Sequence, residues 1–251
     1  QYRRRQNTFL VVMMDVNELR RLAAKEELSL NYIAKDEMIS KVLAKLQKFD
    51  NIILKGGTAI NRVYLKNKRF SEDIDLDLIF NGTVKLALTA TNKIIKVIEG
   101  FDIARPRIMK ETIRYDLFYT NPLNHKDKVM LEFKVIKKAA NYSKKIVNFG
   151  FVPYDSSLIN VYNIEELIKQ KIACIMTRNE GKDFFDLYYL LEIPHESINI
   201  DKEKIMERIT FEEKEIRIIA DTLNHYVPKK QRPDWKIFLE QLKEKIREAK
   251  D

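Results

Sequence analysis

The sequence contains little of what disulfide-bonded, zinc-binding or membrane-spanning proteins require. Its single cysteine, Cys174, excludes a disulfide within the chain. The three histidines, His125, His195 and His225, lie far apart and lack metal-ligand spacing, which argues against a zinc site. No apolar run approaches the ~18 residues of a membrane span; residues 10–14 are too short, and no cleavable signal pattern follows them. We therefore expect a protein of the reducing cytoplasm without membrane association.

The composition is that of an ordinary globular protein. Hydrophobic residues make up 45% and charged residues 33% of the 251 positions, enough for one large domain or two small ones. The chain opens on Gln1, and Met13 and Met14 follow soon after. We interpret the first dozen residues as an extension and give them no functional weight.

Positive charge is concentrated in the middle of the chain. The formal net charge is +9, and residues 101–150 contain 11 Lys or Arg against 5 Asp or Glu. Residues 201–251 are nearly balanced, with 13 against 12. Such a local excess favours a surface that attracts phosphates and nucleic acid. A lysine-rich solvated face is the alternative interpretation.

The segment "SEDIDLDLIF" (residues 71–80) places carboxylates inside a predicted strand. Because alternate side chains of a strand share a face, Asp73, Asp75 and Asp77 project together while the intervening apolar residues face a core. Consecutive carboxylates on that face lie about 7 Å apart, and their repulsion raises their pKa values. A divalent cation such as Mg²⁺ relieves the repulsion. By the same alternation, Glu72 is expected on the other side of the strand and outside the site.

An exposed edge strand with charges that discourage aggregation is the structural alternative for this segment. Lysine serves that purpose better than a cluster of aspartates, which are poor strand formers. The pattern therefore favours metal binding.

A glycine pair lies upstream, in "LKGGTAINRVYL" (residues 54–65). Gly56 and Gly57 separate an apolar strand from a predicted helix at residues 58–66, and glycine lets the backbone approach a ligand closely. Free N–H groups at the start of that helix can hold phosphate. A tight strand–helix turn explains the pair equally well, and the sequence fits neither the P-loop nor GxGxxG.

Two predicted helices downstream contain further charged candidates. Lys171 borders the apolar stripe of a helix at residues 163–177, where a lysine usually extends its ammonium to water. Asp183 and Asp186 share one face of a helix at residues 182–191. Their alternative role is to place negative charge at the N-terminus of that helix.

The order of elements indicates an N-terminal α/β part and a C-terminal helical part. Helices are predicted over 15–46 before the first strand at 52–55, and again over 83–99. Strands at 108–119 and 128–137 are joined by a polar hairpin loop. After residue 163 the pattern is helical, and we expect the boundary between 150 and 163.

Three blocks, taken in order, resemble the AbiEii/AbiGii family of nucleotidyltransferase toxins, which includes the MenT toxins and belongs to the polymerase beta-like nucleotidyltransferase superfamily. The blocks are "LKGGTAINRVY", "RFSEDIDL" and "EELIKQKIACIMTRNEGKDFFDLYYLL". The resemblance covers roughly residues 31–191. The resemblance implies an α+β fold, with a nucleotidyltransferase-type mixed sheet flanked by helices in residues 1–155. A helical bundle in residues 156–251 would contribute Lys171 and Asp186 to the site.

The resemblance also implies roles for individual residues. Asp73 and Asp75 would bind the metal, and Lys171 and Asp186 would complete the catalytic site. The substrate-binding residues would be Gly56, Gly57, Thr58, Arg69, Ser71 and Asp183. Superfamily members often have a third carboxylate on a later strand, and Glu132 in "VMLEFKV" fits that position, although relatives more often have Asp. Asp77 is the other candidate, and the sequence does not decide between the two.

The function implied by the resemblance is nucleotidyl transfer from a nucleoside triphosphate to RNA. Mg²⁺, or alternatively Mn²⁺, would be the cofactor, and the tRNA 3′ end the acceptor. A pyrimidine triphosphate such as CTP would be one donor, translation would be blocked, and a separately encoded antitoxin would be the protein partner. Three alternatives stay open: a small-molecule acceptor, as in antibiotic nucleotidyltransferases; a non-catalytic protein that binds RNA or antitoxin; and a DxD glycosyltransferase, which would leave Gly-Gly-Thr unexplained.

Overall fold

The computed structural model describes residues 14–249; residues 1–13, including the dozen interpreted as an extension, and residues 250–251 lie outside the described part. The strands are β1 (Ile52–Lys55), β2 (Asp73–Ile79), β3 (Asp102–Ile103), β4 (Arg107–Ile108), β5 (Thr112–Thr120), β6 (Lys126–Ile136), β7 (Tyr142–Val147) and β8 (Ser157–Tyr162). The helices are α1 (Val16–Glu26), α2 (Leu30–Leu46), α3 (Gly56–Ala59), α4 (Val84–Ile95), α5 (Ile164–Ile175), α6 (Gly181–Leu191), α7 (Lys202–Arg208), α8 (Glu213–Asp221) and α9 (Trp235–Glu248).

The described strands form one mixed eight-stranded sheet in the order β3-β5-β6-β2-β1-β8-β7, and β4 pairs with β5. β2 lies antiparallel to β1 and parallel to β6. β8 lies parallel to β1, and β7 forms the antiparallel edge beside it. The acidic strand β2 is therefore central, which rules out the edge-strand interpretation of its carboxylates.

The N-terminal helices cover one face of the sheet. Ser29 is the N-cap of α2, and its side chain accepts a hydrogen bond from the backbone N–H of Tyr32. The apolar side of α2 packs with α4 and with alternate residues of the strands in one hydrophobic core. On β5, Ile113, Tyr115 and Leu117 are all buried in this core.

The C-terminal helices cover part of the opposite face and form a second core. Ile53 of β1 and Tyr162 of β8 belong to this second core, whereas Ile52 and Leu54 belong to the first. The alternation along β1 thus separates the two cores. No described helix has the length and apolar composition of a membrane span.

The structure extends the sheet beyond the predicted elements. The hairpin of β7 and β8 was not among the predicted strands, because β7 is short and mostly exposed. β8 lies after residue 155, so the sheet continues to Tyr162 and the purely helical part begins at α5. The helix predicted over 58–66 is a short α3 that continues as a π-helical turn, Ile60–Tyr64. Such turns occur often at functional sites.

Candidate active site

A cavity of 580 Å³ lies where β1, β2 and β6 meet α5 and residues 69–72. Most of the catalytic, metal-binding and substrate-binding residues that the sequence predicts line this cavity: Gly56, Gly57, Arg69, Ser71, Asp73, Asp75, Glu132 and Lys171. The remaining three, Thr58, Asp183 and Asp186, are fully buried in its surroundings. The structure therefore brings together groups that are distant in sequence, and their chemical roles stay predictions.

A row of charged residues crosses the sheet through Asp75 of β2. Asp75 is opposite Lys55 on β1 and opposite Glu132 on β6. Arg114 on β5 is in turn opposite Glu132. Asp73 and Asp75 both line the cavity, as the alternation of a strand predicts.

Asp73 has an unsatisfied carboxylate oxygen. Its Oδ1 atom is buried and has no hydrogen-bond partner within residues 14–249. Burial, followed by the charges of Glu72 and Asp75, raises the pKa of Asp73 to about 7. Burial also raises the pKa of Asp75 despite the opposing charge of Lys55. Nearby cations therefore do not fully offset the cost of ionising these two buried carboxylates.

Glu132 adds a third carboxylate to the same face of the sheet. Burial and the neighbouring charge of Asp75 raise the pKa of Glu132. Among residues 14–249, however, no three His, Cys, Asp or Glu side chains are close enough to hold a metal ion by themselves. The buried, unpartnered oxygen of Asp73 beside Asp75 fits a Mg²⁺ that takes its remaining oxygens from a phosphate substrate. Whether Glu132 joins them stays a prediction.

Asp77 differs from the other two aspartates because protein groups already bind it. Its Oδ2 accepts a hydrogen bond from the hydroxyl of Tyr162 at 2.6 Å, and Lys55 forms an ion pair with it. This arrangement indicates that Asp77 holds Lys55 at the edge of the cavity.

The glycine pair is required by close packing against the acidic strand. Gly56 has φ +66°, and a Cβ atom there would collide with the carboxylate of Asp75. A Cβ atom at Gly57 would lie 2.6 Å from Ser71 Oγ and 2.6 Å from the Arg69 guanidinium. The absence of side chains thus lets the turn lie directly against the carboxylates and the segment that precedes β2.

Thr58 connects the glycine turn to β2. Its side chain is fully buried, and its hydroxyl donates a hydrogen bond of 2.5 Å to the backbone carbonyl of Asp73. The side chain therefore fixes the start of the acidic strand and does not line the cavity. Only the backbone of Thr58 is then available for the predicted contact with the triphosphate.

A buried network of ion pairs lies behind the cavity. Asp186 accepts two hydrogen bonds from Arg69, at 2.8 Å and 2.6 Å, and pairs with Lys171 at 2.7 Å. Lys171 also pairs with Asp183 at 2.8 Å, and Arg178 donates to Asp183 at 2.7 Å. Lys171 therefore links the two aspartates of α6 from its position on α5.

Charge balance in this network keeps all its members ionised. Burial alone would lower the pKa of Lys171, but Asp186 and Asp183 hold it above its usual value. Burial would raise the pKa of Asp186, but Arg69 and Lys171 hold it below its usual range. An ammonium has three donors, and two of them are directed at the aspartates. The third is left for the cavity that Lys171 lines.

Sequence reasoning missed several residues that line the cavity. The cations are Lys55, Lys134, Arg178 and Lys182. Of these, Lys55 immediately precedes the glycine pair, so its position next to that motif was an available signal. Lys134 follows Glu132 by two residues on β6 and therefore shares its face.

The expectation that Glu72 lies outside the site is wrong. β2 begins at Asp73, so the alternation of a strand does not extend to Glu72. Its side chain lines the cavity and accepts a hydrogen bond of 2.6 Å from the hydroxyl of Tyr226. Tyr226 also lines the cavity, and it comes from the C-terminal part of the chain, in which the sequence carries no recognisable motif.

Comparison with known proteins finds a nucleotidyltransferase family and nucleotidyltransferase structures similar to this chain. The sequence model of the family described as nucleotidyl transferase AbiEii toxin, type IV toxin–antitoxin system, matches residues 39–250. Comparison with curated proteins gives no match.

Two solved structures show a similar fold. The nucleotidyltransferase toxin MenT4 of Mycobacterium tuberculosis is 14% identical, with a TM-score of 0.62 over 93% of this chain and 88% of that one. A candidate nucleotidyltransferase from H. pylori is 19% identical, with a TM-score of 0.58 over 88% of this chain and 95% of that one.

Proposed function

The chain belongs to the AbiEii family of nucleotidyltransferase toxins, and from this membership we propose that it transfers a nucleotide from a nucleoside triphosphate to the 3′ end of an RNA. A tRNA is the proposed acceptor, and a pyrimidine triphosphate such as CTP is the proposed donor. Modification of that 3′ end would block translation. A cognate antitoxin protein would bind the toxin, in keeping with the toxin–antitoxin description of the family.

One observation carries the proposal more than any other: the carboxylates of Asp73 and Asp75, which form no ion pair within residues 14–249, face a cavity whose lining also contains several cations. Lys55, Lys134, Arg178 and Lys182 all line it. Opposite charges placed around one cavity suit a substrate that combines phosphates with a divalent cation.

Asp73 and Asp75 would hold Mg²⁺, or Mn²⁺ in its place. When bound, the metal would neutralise charge on the phosphates and make the α-phosphate a better electrophile. The buried Oδ1 of Asp73, which lacks a protein partner, supports this assignment. Glu132 is the proposed third carboxylate, because it lies opposite Asp75 and its raised pKa suits a group that exchanges protons.

Other side chains of the cavity would position the triphosphate. Gly56 and Gly57 line the cavity, and their backbone would approach the phosphate oxygens beside Ser71. The free donor of Lys171 would stabilise negative charge on the phosphates, and Asp183 and Asp186 would hold its ammonium in place. The acceptor hydroxyl would attack the α-phosphate, forming one P–O bond as the bond to pyrophosphate breaks, and its proton would pass to a carboxylate such as Glu132.

The test is incubation of the protein with total tRNA, Mg²⁺ and each of the four α-labelled nucleoside triphosphates in turn. We expect label on the RNA with at least one triphosphate, and its loss with Asp73→Asn or Asp75→Asn. Chelation of the metal should abolish the transfer as well. Asp50→Asn is a matched control, because Asp50 is exposed and lies away from the cavity.

Three outcomes would contradict parts of the proposal. Label that persists in both aspartate variants would overturn the metal assignment. Transfer to a small molecule but not to RNA would favour the antibiotic-type alternative. No transfer with any triphosphate, from a protein that still binds RNA, would favour a non-catalytic role.

A further inference from the structure

One face of the sheet carries the cavity. On that face, the C-terminal helices leave the half formed by β5 and β6 uncovered. On β5, the residues of this face are all partly or fully exposed: Thr112, Arg114, Asp116, Phe118 and Thr120. The residues between them are all buried on the opposite face. The same contrast holds along the middle of β6, where Met130 and Glu132 are partly exposed between buried neighbours. The strands next to the cavity therefore present side chains directly to solvent.

This uncovered surface has an excess of positive charge. Asp116 is contacted by three cations: Arg107 at 2.8 Å, Lys128 at 3.1 Å and Arg114 at 3.5 Å. One carboxylate cannot neutralise three cations. A net positive charge therefore remains, and a phosphate backbone could replace or share these partners.

An aromatic ring accompanies the cations. Phe118 is 37% exposed although β5 is paired at this position with β3 on one side and β6 on the other. The ammonium of Lys128 lies 5.8 Å from its ring centroid. An exposed ring among cations on an open sheet is the arrangement on which unpaired bases stack. A solvent-facing sheet that served only structure would more often present polar side chains at such a position.

The surface continues into the cavity. Asp116 is opposite Met130, and Met130 is opposite Asp73, so Asp116 and Asp73 are two strands apart. At about 4.8 Å between strands, this corresponds to roughly 10 Å. A few nucleotides of a single strand would cover such a distance, so a chain bound on the surface could place its end beside the carboxylates.

We propose that the open sheet surface, formed by Arg107, Arg114, Asp116, Phe118 and Lys128, binds the single-stranded 3′ end of the RNA acceptor. The inference rests on the proposed function and adds to it the place and the mode of acceptor binding. Arg107 and Lys128 contact phosphates, and Phe118 stacks on a base. The chain then runs across Met130 towards Asp73 and Asp75.

The mode of recognition follows from the shape of the surface. A-form duplexes are recognised through their minor groove and phosphates, whereas stacking on a ring requires an unpaired base. The surface offers one exposed ring and no described side-chain amide, so it suits an unpaired segment of any sequence better than a specific base code. Selection of the incoming nucleotide would then belong to the cavity.

Two variants test the phosphate and stacking contacts separately, with a short fluorescent single-stranded oligoribonucleotide as the probe. Phe118→Leu should weaken its binding about tenfold by removing the stacked ring. Arg107→Ala combined with Lys128→Ala should reduce the slope of log Kd against log salt by about 1.4, the value for two lost phosphate contacts on a single strand. Fluorescence anisotropy across a salt series measures both effects.

The chain offers matched controls at other places. Phe149 is 42% exposed and lies two residues after β7, at the opposite edge of the sheet, so Phe149→Leu should leave binding unchanged. Arg217 on α8 is exposed and has one carboxylate partner, Glu213 at 2.8 Å, so Arg217→Ala is the control for Arg107. Thermal unfolding of each variant shows whether the fold is retained.

The outcomes separate this inference from the proposed function. If the wild type labels RNA and the surface variants keep its KM for RNA, the surface assignment is wrong and the function stands. If the wild type binds the oligonucleotide through this surface but transfers no nucleotide to any RNA, the function is wrong. A loss of binding in the Arg107/Lys128 variant without any effect of Phe118→Leu would indicate a general polyanion surface and would overturn the inference.

Discussion

Arg69 and Asp186 form a two-point ion pair in the interior of the protein. Arg69 Nε lies 2.8 Å from Asp186 Oδ1, and Nη2 lies 2.6 Å from Oδ2. Both side chains are almost completely buried, and 117 positions separate them in sequence. The pair therefore joins the segment that enters the acidic strand to α6, so the helical part of the chain shapes the cavity directly.

Replacement of Arg69 by glutamine should strongly destabilise the fold. The substitution leaves the buried carboxylate of Asp186 with Lys171 and a hydrogen bond from Asn61 as its partners. Removing one partner of a buried pair costs about 3–5 kcal/mol. Urea unfolding followed by circular dichroism measures the free energy of unfolding.

The surface pair of Arg217 and Glu213 supplies the control for that measurement. Both side chains are highly exposed on α8, so Arg217→Gln should change the free energy of unfolding by only about 0.5 kcal/mol. Similar losses in Arg69→Gln and Arg217→Gln would contradict the structural importance of the buried pair.

Lys171→Met should lower nucleotidyl transfer by a factor of about 10² to 10³, because it removes the ammonium that we propose donates to the phosphates. Its loss also leaves Asp183 and Asp186 less well neutralised, so a melting curve must accompany the assay. Lys169→Met is the matched control: Lys169 lies on the same helix but is exposed. Normal transfer by a folded Lys171→Met protein would show that this lysine has a structural role alone.

The predicted metal site follows from patterns that are local in sequence. Alternation along β2 places Asp73 and Asp75 on one face, and the glycine pair precedes a helical turn. Both patterns depend on neighbouring residues, and the structure brings both to one cavity. The central position of β2 could not be predicted in this way, because its pairing with β1 and β6 is not part of any local pattern.

Long-range contacts explain what the sequence could not predict. Glu72 lies one residue before β2, where strand alternation no longer applies, and its partner Tyr226 is 154 positions away. The ion pair of Arg69 with Asp186 is a long-range contact of the same kind. The hairpin of β7 and β8 was missed because a mostly exposed edge strand has no clear hydrophobic alternation.

Without metal, the stability of the protein should fall as the pH rises from about 4 to about 7. The pKa of Asp73 is about 7 in the folded protein, against 3.8 for an ordinary aspartate. Between these values the unfolded chain releases a proton that the folded protein retains, so ionisation favours unfolding. Above pH 7 both states are ionised and the loss is complete. Asp73→Asn should remove the part of this dependence that comes from Asp73 and stabilise the protein by roughly 1–3 kcal/mol at pH 8.

Chemical denaturation at several pH values, in the presence of a chelator, gives the difference between the two proteins. Asp50→Asn is the control, because Asp50 is highly exposed and pairs only with Lys144 among the ion pairs described. A wild type and an Asp73→Asn variant with parallel pH profiles would show that the pKa of Asp73 is unchanged by folding. Mg²⁺ should restore stability to the wild type above pH 7 and should have a smaller effect on the variant.

Glu72→Gln should lower the pKa of Asp73. After burial, the charge of Glu72 is the largest cause of the raised pKa of Asp73. Neutralising that charge removes repulsion against ionised Asp73, so the pKa should fall by on the order of half a unit. Carbon-13 NMR of the carboxyl groups measures this shift directly, and the acid limb of the pH profile of transfer should move to lower pH.

Tyr226→Phe separates the charge of Glu72 from its position. This variant removes the hydroxyl that donates to Glu72 at 2.6 Å but leaves the charge, so the pKa of Asp73 should stay raised. Glu166→Gln is the control, because Glu166 also lines the cavity but is not among the groups that shift Asp73. A shift of equal size in Glu166→Gln and Glu72→Gln would mean that the total charge of the cavity, and not the neighbouring Glu72, sets the ionisation of Asp73.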